Sequence, residues 1–269
     1  MEKFKISVIT VVKNGMPYLP VSIKSFELQE YENKELIIVY APSNDGTEEY
    51  LEKCKYKNIK IIKDEKSKTK FGSINLGINN STGDFFCLLH SDDIFFKEKT
   101  LNEISKNFDN DINLIYGDVI FSKKNDLTTI VRKWKSKNFD KKNLNYGWMP
   151  PHTSIFLNRN YYVYKNNVYT EEFPISGDYN FILEIFSDPK IKVKYVNQTV
   201  TLMRSGGDST NLKNIYRKIF EDLNIAKKFY KHYFLCVILK ILQKIFQIKL
   251  LNSKIESNYV RELNAFKIE

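Results

Sequence analysis

The chain has 269 residues, 42% hydrophobic and 28% charged, with a formal net charge of +10. That length holds one large α/β domain with an appendage, or two small domains, and the richness in Ile, Leu, Val and Phe excludes a disordered protein. Three scattered cysteines, Cys54, Cys87 and Cys236, form no CxxC pair, which argues against a disulfide frame or zinc site and for reduced thiols in the cytoplasm.

The first apolar run, residues 6–12, is β-branched and stops at Lys13 without a small-residue cleavage site, so it predicts a strand and not a signal peptide. Asn14-Gly15 then marks a turn, and Tyr18, Val21, Ile23 and Phe26 predict a helix. The pattern repeats: strands over 36–39, 59–62 and 84–89 alternate with helices over 47–54 and 72–80. Such alternation indicates βαβ units, a parallel sheet with helices on both faces, and a ligand site beyond the carboxyl ends of the strands. The loops to watch are therefore 13–17, 40–46 and 90–94. Further strands are predicted over 114–121, 128–134 and 153–157, a helix over 178–186, and a strand pair over 193–196 and 199–203. Beyond Gly206-Gly207 the chain reads as helical to about Leu251. Residues 213–254 there carry ten Lys or Arg against Glu221 and Asp222, so most of the basic excess lies in this last quarter.

His90-Ser91-Asp92-Asp93 follows the apolar run DFFCLL. Two adjacent carboxylates at a strand end repel each other, and Mg²⁺ or Mn²⁺ would relieve this while keeping positions open for phosphate oxygens. The competing reading is an Asp that caps the next helix. Lys66, Lys68 and Lys70 make one edge electropositive, and one of them can meet a diphosphate as a point charge. His152 follows Pro150-Pro151, which restrict its backbone, and Tyr146 and Trp148 beside it suit either sugar stacking or core.

The segments ISVITVVKNG, LIIVYAPSNDGT and NLGINNSTGDFFCLLHSDD, followed by YGDV, GWMPPHTSIF, ISGDYNFILEI and MRSGGDS, resemble in order and spacing the inverting family-two glycosyltransferases of bacterial polysaccharide and O-antigen assembly. The likeness runs over residues 4 to about 212, in the branch with colanic-acid-type transferases. It implies a GT-A fold of α/β class, a Rossmann-like, mostly parallel sheet flanked by helices over residues 1–207; beyond it, the helical pattern and charge of the residues themselves give a basic amphipathic extension over 208–269. It also implies a nucleotide-sugar donor, UDP-linked by family frequency, Mn²⁺ or Mg²⁺, and a hydroxyl acceptor on a glycan or lipid-linked sugar. Carried over residue by residue, Asp92 and Asp93 fall on the metal, and Thr10, Val12, Asn14, Tyr40, Ser43, Asp45, Lys70, Asn75 and Ser91 on the donor. Asp178 falls on the base that deprotonates the acceptor, unless it only caps its helix, and Trp148 and His152 fall on the acceptor or sugar.

The chain departs from that pattern at Tyr40 and Ala41, where the family carries acidic residues toward the base, and at His90, the first position of the metal motif. These departures keep open a degenerate protein that binds nucleotide or glycan without turnover. A sugar nucleotidyltransferase fits less well because the first loop is a poor phosphate cradle. Nucleic acid is not an expected partner, since the basic excess sits on a helix that is otherwise strongly apolar. In that helix, 234–251, Lys240, Gln243, Lys244 and Gln247 define one polar face. The expectation is an interfacial helix that sets this basic face on an anionic membrane, inside the cell; the alternative is packing on the catalytic domain or in a homodimer.

Overall fold

The computed structural model describes residues 4–166, 169–206, 214–247 and 253–266. The expected boundary at 207 and 208, and the helix end near Leu251, lie outside the described residues. The first half is the predicted alternation: β1 (Ile6–Val12), α1 (Leu19–Glu27), β2 (Lys34–Tyr40), α2 (Thr47–Lys53), β3 (Ile59–Lys63), α3 (Lys70–Asn79) and β4 (Phe85–Leu88). Strand β1 pairs in parallel with β2 and β4, and β2 with β3, so four carboxyl ends meet at one edge. Both faces of β1 are buried because its side chains alternate between two cores. Ile6, Val8 and Val12 pack with α1 residues Leu19, Ile23 and Phe26, while Ile9 packs with α3 residues Phe71, Ile74 and Ile78.

The second half, where the predicted alternation of strand and helix stops, is not parallel throughout. Between β6 (Leu114–Lys123), β7 (Asp126–Trp134) and β8 (Ile155–Asn158) no helix of crossover length intervenes, and a parallel return needs one. Accordingly β8 runs antiparallel to both β4 and β6, and β7 forms a hairpin with β6. The expected pair over 193–203 is one strand, β9 (Val193–Arg204), running parallel to β6; its kink is absorbed by a register shift around Asp118. Short β5 (Ile94–Phe95) pairs with the far side of β9, and among the described residues the sheet has the order β3-β2-β1-β4-β8-β6-β9-β5, with β7 beside β6. The remaining helices are α4 (Thr100–Ser105), α5 (Arg159–Tyr164) and α6 (Gly177–Ser187).

The C-terminal segment supplies α7 (Ile215–Phe229), α8 (Tyr233–Gln247) and α9 (Asn258–Ala265). Residues 253–255 bond to β7 through Ile130 N to Ser253 O, 2.9 Å, and Ile255 N to Thr128 O, 2.7 Å. Helix α9 then buries Tyr259, Val260 and Leu263 beside Val21, Ile94 and Leu127. Helix α8 lies against the 3₁₀ turn at 141–146, and a side chain at Gly147 would meet the Lys240 backbone at 2.5 Å. The orientation of α8 corrects the expectation for its polar face. Lys240 turns inward to Asp222, Gln247 bonds Arg132, and Gln243 donates to the Tyr146 carbonyl at 2.7 Å. Phe234, Leu235, Ile238, Ile241 and Leu242 are the exposed side chains instead. An inward charged partner, Asp222, reverses the reading of the helix that its periodicity invites.

Candidate active site

The loops after β1 and β2 are laced into one unit. Asn14, at φ +54°, donates its backbone N–H to Ser43 Oγ at 3.0 Å and accepts from Asn44 N at 3.0 Å. Gly15 N donates to Thr47 Oγ1 and Met16 N to Asp45 Oδ2, while Asp45 Oδ1 accepts from Thr47 N. Burial would raise the Asp45 pKa, but these hydrogen bonds outweigh it and lower it. Ser43 and Asp45 thus shape the crevice from behind. Thr10 and Val12 are buried; Thr10 Oγ1 ties β1 to the Leu89 carbonyl at 2.8 Å, leaving backbone at the strand end. Tyr40, half-buried, ends β2.

At the end of β4, Asp93 N bonds the His90 carbonyl in a tight turn that separates the two carboxylates. Asp93 is 1% exposed, accepts from Arg204 N at 3.1 Å through Oδ1, and leaves Oδ2 without a hydrogen-bond partner. Burial, reinforced by Asp92, pushes its pKa well up. Asp93 therefore braces the turn, whereas Asp92 and Ser91 are half-exposed at its tip and no described residue donates a hydrogen bond to the Asp92 carboxylate. His90 is depressed by burial, which outweighs the opposing charges of Asp92 and Asp178.

Asp178 arrives at the same place from α6. A side chain at Gly177 would meet the Phe71 ring at 2.5 Å, so only glycine lets the start of α6 press against the start of α3, which carries Lys70. Burial alone would raise the Asp178 pKa; Lys218, His152, Lys70 and Lys240 together outweigh it and hold it at about 2. His152 Nε2 shares a 2.5 Å hydrogen bond with Tyr169 OH, and its ring meets Phe181 edge-on. Burial drives its pKa down to about 4 against the pull of Asp178, so it is neutral at pH 7. Lys70, His152 and Asp178 are thus brought within electrostatic reach of His90, which Asp92 also reaches, from four separate segments.

Other anticipated residues lie elsewhere. Trp148 is buried among Tyr116, Phe139 and Phe186, and Asn75 spends its amide on Tyr169 O and Tyr162 OH. Lys68 and Thr69 give their backbone N–H groups to Glu171 Oε1, each at 2.9 Å. Sequence reasoning missed Asp64, whose carboxylate accepts from Lys66 N, Ser67 N and Ser73 Oγ ahead of α3. It also missed Glu221, which accepts from Ile175 N and Ser176 N and so holds the approach to Asp178. Its neighbour Asp222 receives Lys240 at 3.0 Å and Lys218 at 3.8 Å. The available signal was that Glu221 and Asp222 are the two acidic residues in an otherwise basic stretch.

Among the described residues no three His, Cys, Asp or Glu side chains are arranged to hold a metal by themselves. The donor set fits a different mode, in which Mg²⁺ or Mn²⁺ takes one or two carboxylates and completes its shell with water and substrate phosphate. Asp92, whose carboxylate accepts no hydrogen bond from the described residues, suits that role.

The sequence matches the family described as Glycosyl transferase family 2 over residues 7–183. An uncharacterized glycosyltransferase of Rickettsia conorii is 35% identical over 123 residues, covering 45% of this chain and 20% of that protein. The Escherichia coli protein WfgD, named a UDP-Glc:α-D-GlcNAc-diphosphoundecaprenol β-1,3-glucosyltransferase, is 30% identical over 117 residues, 44% of this chain and 46% of that one. The chain thus spans from a fifth to about half the length of these two relatives. Among solved structures, Staphylococcus aureus TarS 1–349 superposes with a TM-score of 0.64 at 16% identity, over 88% of this chain and 70% of that one. The mannosyltransferase PcManGT of Pyrobaculum calidifontis, solved with GDP-Man and Mn²⁺, gives 0.62 at 13% identity, over 89% and 70%. The fold is that of the GT-A glycosyltransferases, in which the mixed sheet described above and its flanking helices recur.

Proposed function

We propose, since the chain belongs to glycosyl transferase family 2, that it transfers a sugar with inversion from a nucleotide diphosphate donor to a hydroxyl of a lipid-linked or oligosaccharide acceptor in surface polysaccharide synthesis. The observation that carries this reading is the convergence of Asp92 and Asp178, from β4 and α6, around His90, Lys70 and His152. The nucleotide lies along the strand-end backbone at Thr10, Val12 and Asn14, with Tyr40 flanking the base. Asp92 would hold Mn²⁺ or Mg²⁺, which when bound supplies charge neutralisation to the departing diphosphate. Lys70 adds a fixed positive charge on the same side. Asp178, ionised at neutral pH, accepts the proton of the attacking hydroxyl. With pKa about 2 it is a weak base until bound anions offset the surrounding cations.

A hexose or N-acetylhexosamine on UDP is the favoured donor, because WfgD is named for UDP-Glc and TarS was solved with UDP-GlcNAc. GDP-Man in PcManGT keeps a second base in the test. A lipid-diphosphate acceptor, as in the name of WfgD, suits peripheral attachment at the inner face of the membrane. Among the described residues no helix is long and apolar enough to cross one. The lipid-facing side would be the exposed apolar face of α8, not its basic face. A thermal-shift screen of UDP- and GDP-sugars with and without Mn²⁺, followed by donor hydrolysis, tests the reading. Metal-dependent stabilisation and turnover by one donor is the expected result, and binding without hydrolysis or transfer would mark a non-catalytic protein.

A further inference from the structure

The basic charge of α7 and α8 gathers on the side of Asp178 remote from the β4 turn. Lys218 Nζ lies 3.4 Å from Ser176 Oγ, two residues before Asp178. Lys240 Nζ sits 3.3 Å from the ring centroid of Tyr179, the residue after it. One turn along α8, Lys244 is half-buried and makes no ion pair with any described residue. Behind them Arg132, 9% exposed and bonded to Gln247 on the next turn, leaves its Nε without a partner. The counter-charges here are Asp222 and Asp178 itself, because Glu221 is engaged by Arg217 and by backbone. The Lys240–Asp222 contact at 3.0 Å is an ion pair to Oδ2 in which Lys240 Nζ makes no aligned hydrogen bond with the described residues, and Asp222 Oδ1 has only Lys218 at 3.8 Å.

Four cations against two carboxylates, in a partly enclosed place, leave a net positive charge whose desolvation and mutual repulsion an anion would offset. The layout also says which anion. Lys218 meets Ser176 and Lys240 packs over Tyr179, both at the start of α6, whereas Lys70 opens α3, which packs on β1 at the donor crevice. Lys70 therefore faces the donor end and the α7–α8 lysines face away from it.

We propose that Lys218, Lys240 and Lys244, with Arg132 behind them, form an anion subsite that holds a phosphate or phosphodiester of the acceptor beside the hydroxyl that reacts. Its assignment to the acceptor rests on the reading of Asp178 as base. Two or three convergent ammonium donors suit a phosphate, whose oxygens accept several charge-assisted hydrogen bonds at once. The subsite would bring the acceptor's charge next to Asp178 and orient the hydroxyl toward it.

The test uses the full chain with its donor site saturated by UDP, titrated with glycerol 3-phosphate and, as neutral control, glycerol, followed by ³¹P NMR or calorimetry. Glycerol 3-phosphate should bind and glycerol should not. Lys244→Gln, which breaks no ion pair, should weaken the phosphate about tenfold, the worth of one charge-assisted hydrogen bond. Lys240→Gln should do the same provided its melting temperature is kept. Asp178→Asn should bind the phosphate as well or better while losing transfer; if Asp178→Asn transfers normally, the base reading fails and the binding result still stands. Absence of binding, equal binding by Lys244→Gln, or binding only when UDP is omitted would overturn the proposal. So would lysine-dependent binding to phosphatidylglycerol vesicles without binding of glycerol 3-phosphate, since the anion would then be a lipid headgroup.

Discussion

Replacing Asp178 by Asn separates the two roles its position allows. The N-cap of α6 is Ser176, which makes no side-chain cap, and Asp178 contributes one bond, from Tyr179 N to its Oδ1 at 2.8 Å. Asparagine keeps that oxygen and loses a charge whose folded pKa of about 2, below the ordinary 3.8, makes it worth on the order of 2 kcal/mol. In a chain of this size that is a fall in melting temperature of roughly 4–8 °C. As general base the carboxylate contributes about 10²- to 10⁴-fold, or ~3–5 kcal/mol of transition-state stabilisation. The variant should therefore lose transfer by that factor at saturating donor, with donor affinity by calorimetry little changed. The pH profile adds a second check. The folded pKa of about 2 lies below the ordinary 3.8, so the carboxylate is ionised above pH 4; its stabilising contribution declines between about pH 4 and pH 2, and its base form is lost as pH falls through 2. A folded Asp178→Asn enzyme with near wild-type transfer would refute the assignment, and a large stability loss with proportionate loss of donor binding would show that the residue is structural.

Asp92→Asn should reduce metal-dependent turnover at least about 100-fold with the melting temperature unchanged, because an amide is a weaker ligand for a hard cation; Asp93→Asn, at a buried brace of the turn, should show itself in thermal denaturation instead. Tyr40→Ala is expected to weaken donor binding more than it slows the bound complex, and calorimetry with unchanged nucleotide affinity would remove Tyr40 from the base site. Trp148→Ala, in a packed aromatic cluster, should cost about 3–5 kcal/mol of stability in chemical denaturation. Deleting residues 233–269 removes buried Cys236, Val237, Ile255, Tyr259, Val260 and Leu263, worth on the order of 10 kcal/mol at about 1.5–3 kcal/mol for each larger apolar side chain. That rivals the whole stability of a typical domain. The truncated chain should show no cooperative unfolding by circular dichroism, and a transition within a few degrees of the full chain's would contradict the packing described for α8 and α9.

The sequence by itself determined the first half of the fold and pointed to the loops where the proposed chemistry lies. Runs such as ISVITVV are buried on both faces, so their length and β-branching suffice to mark parallel strands, and the strand ends then locate Asn14, Tyr40 and Asp92 without further information. Motif order likewise singled out Asp178 as the candidate base, because its segment is contiguous. Tertiary structure alone decided what depends on contacts between distant segments. Strand β9 is continuous because β6 accommodates its irregularity by a shift of register, which neither segment reveals alone. Asp92 and Asp93 are equivalent as letters, yet burial against Arg204 makes one a brace and leaves the other exposed. Helix α8 is the clearest case. A period of 3.6 residues divides it into a basic and an apolar face but carries no sign for which face meets solvent. The sign came from Asp222 and Arg132, whose buried charge and hydrogen-bonding capacity draw the polar face inward and leave the apolar one exposed.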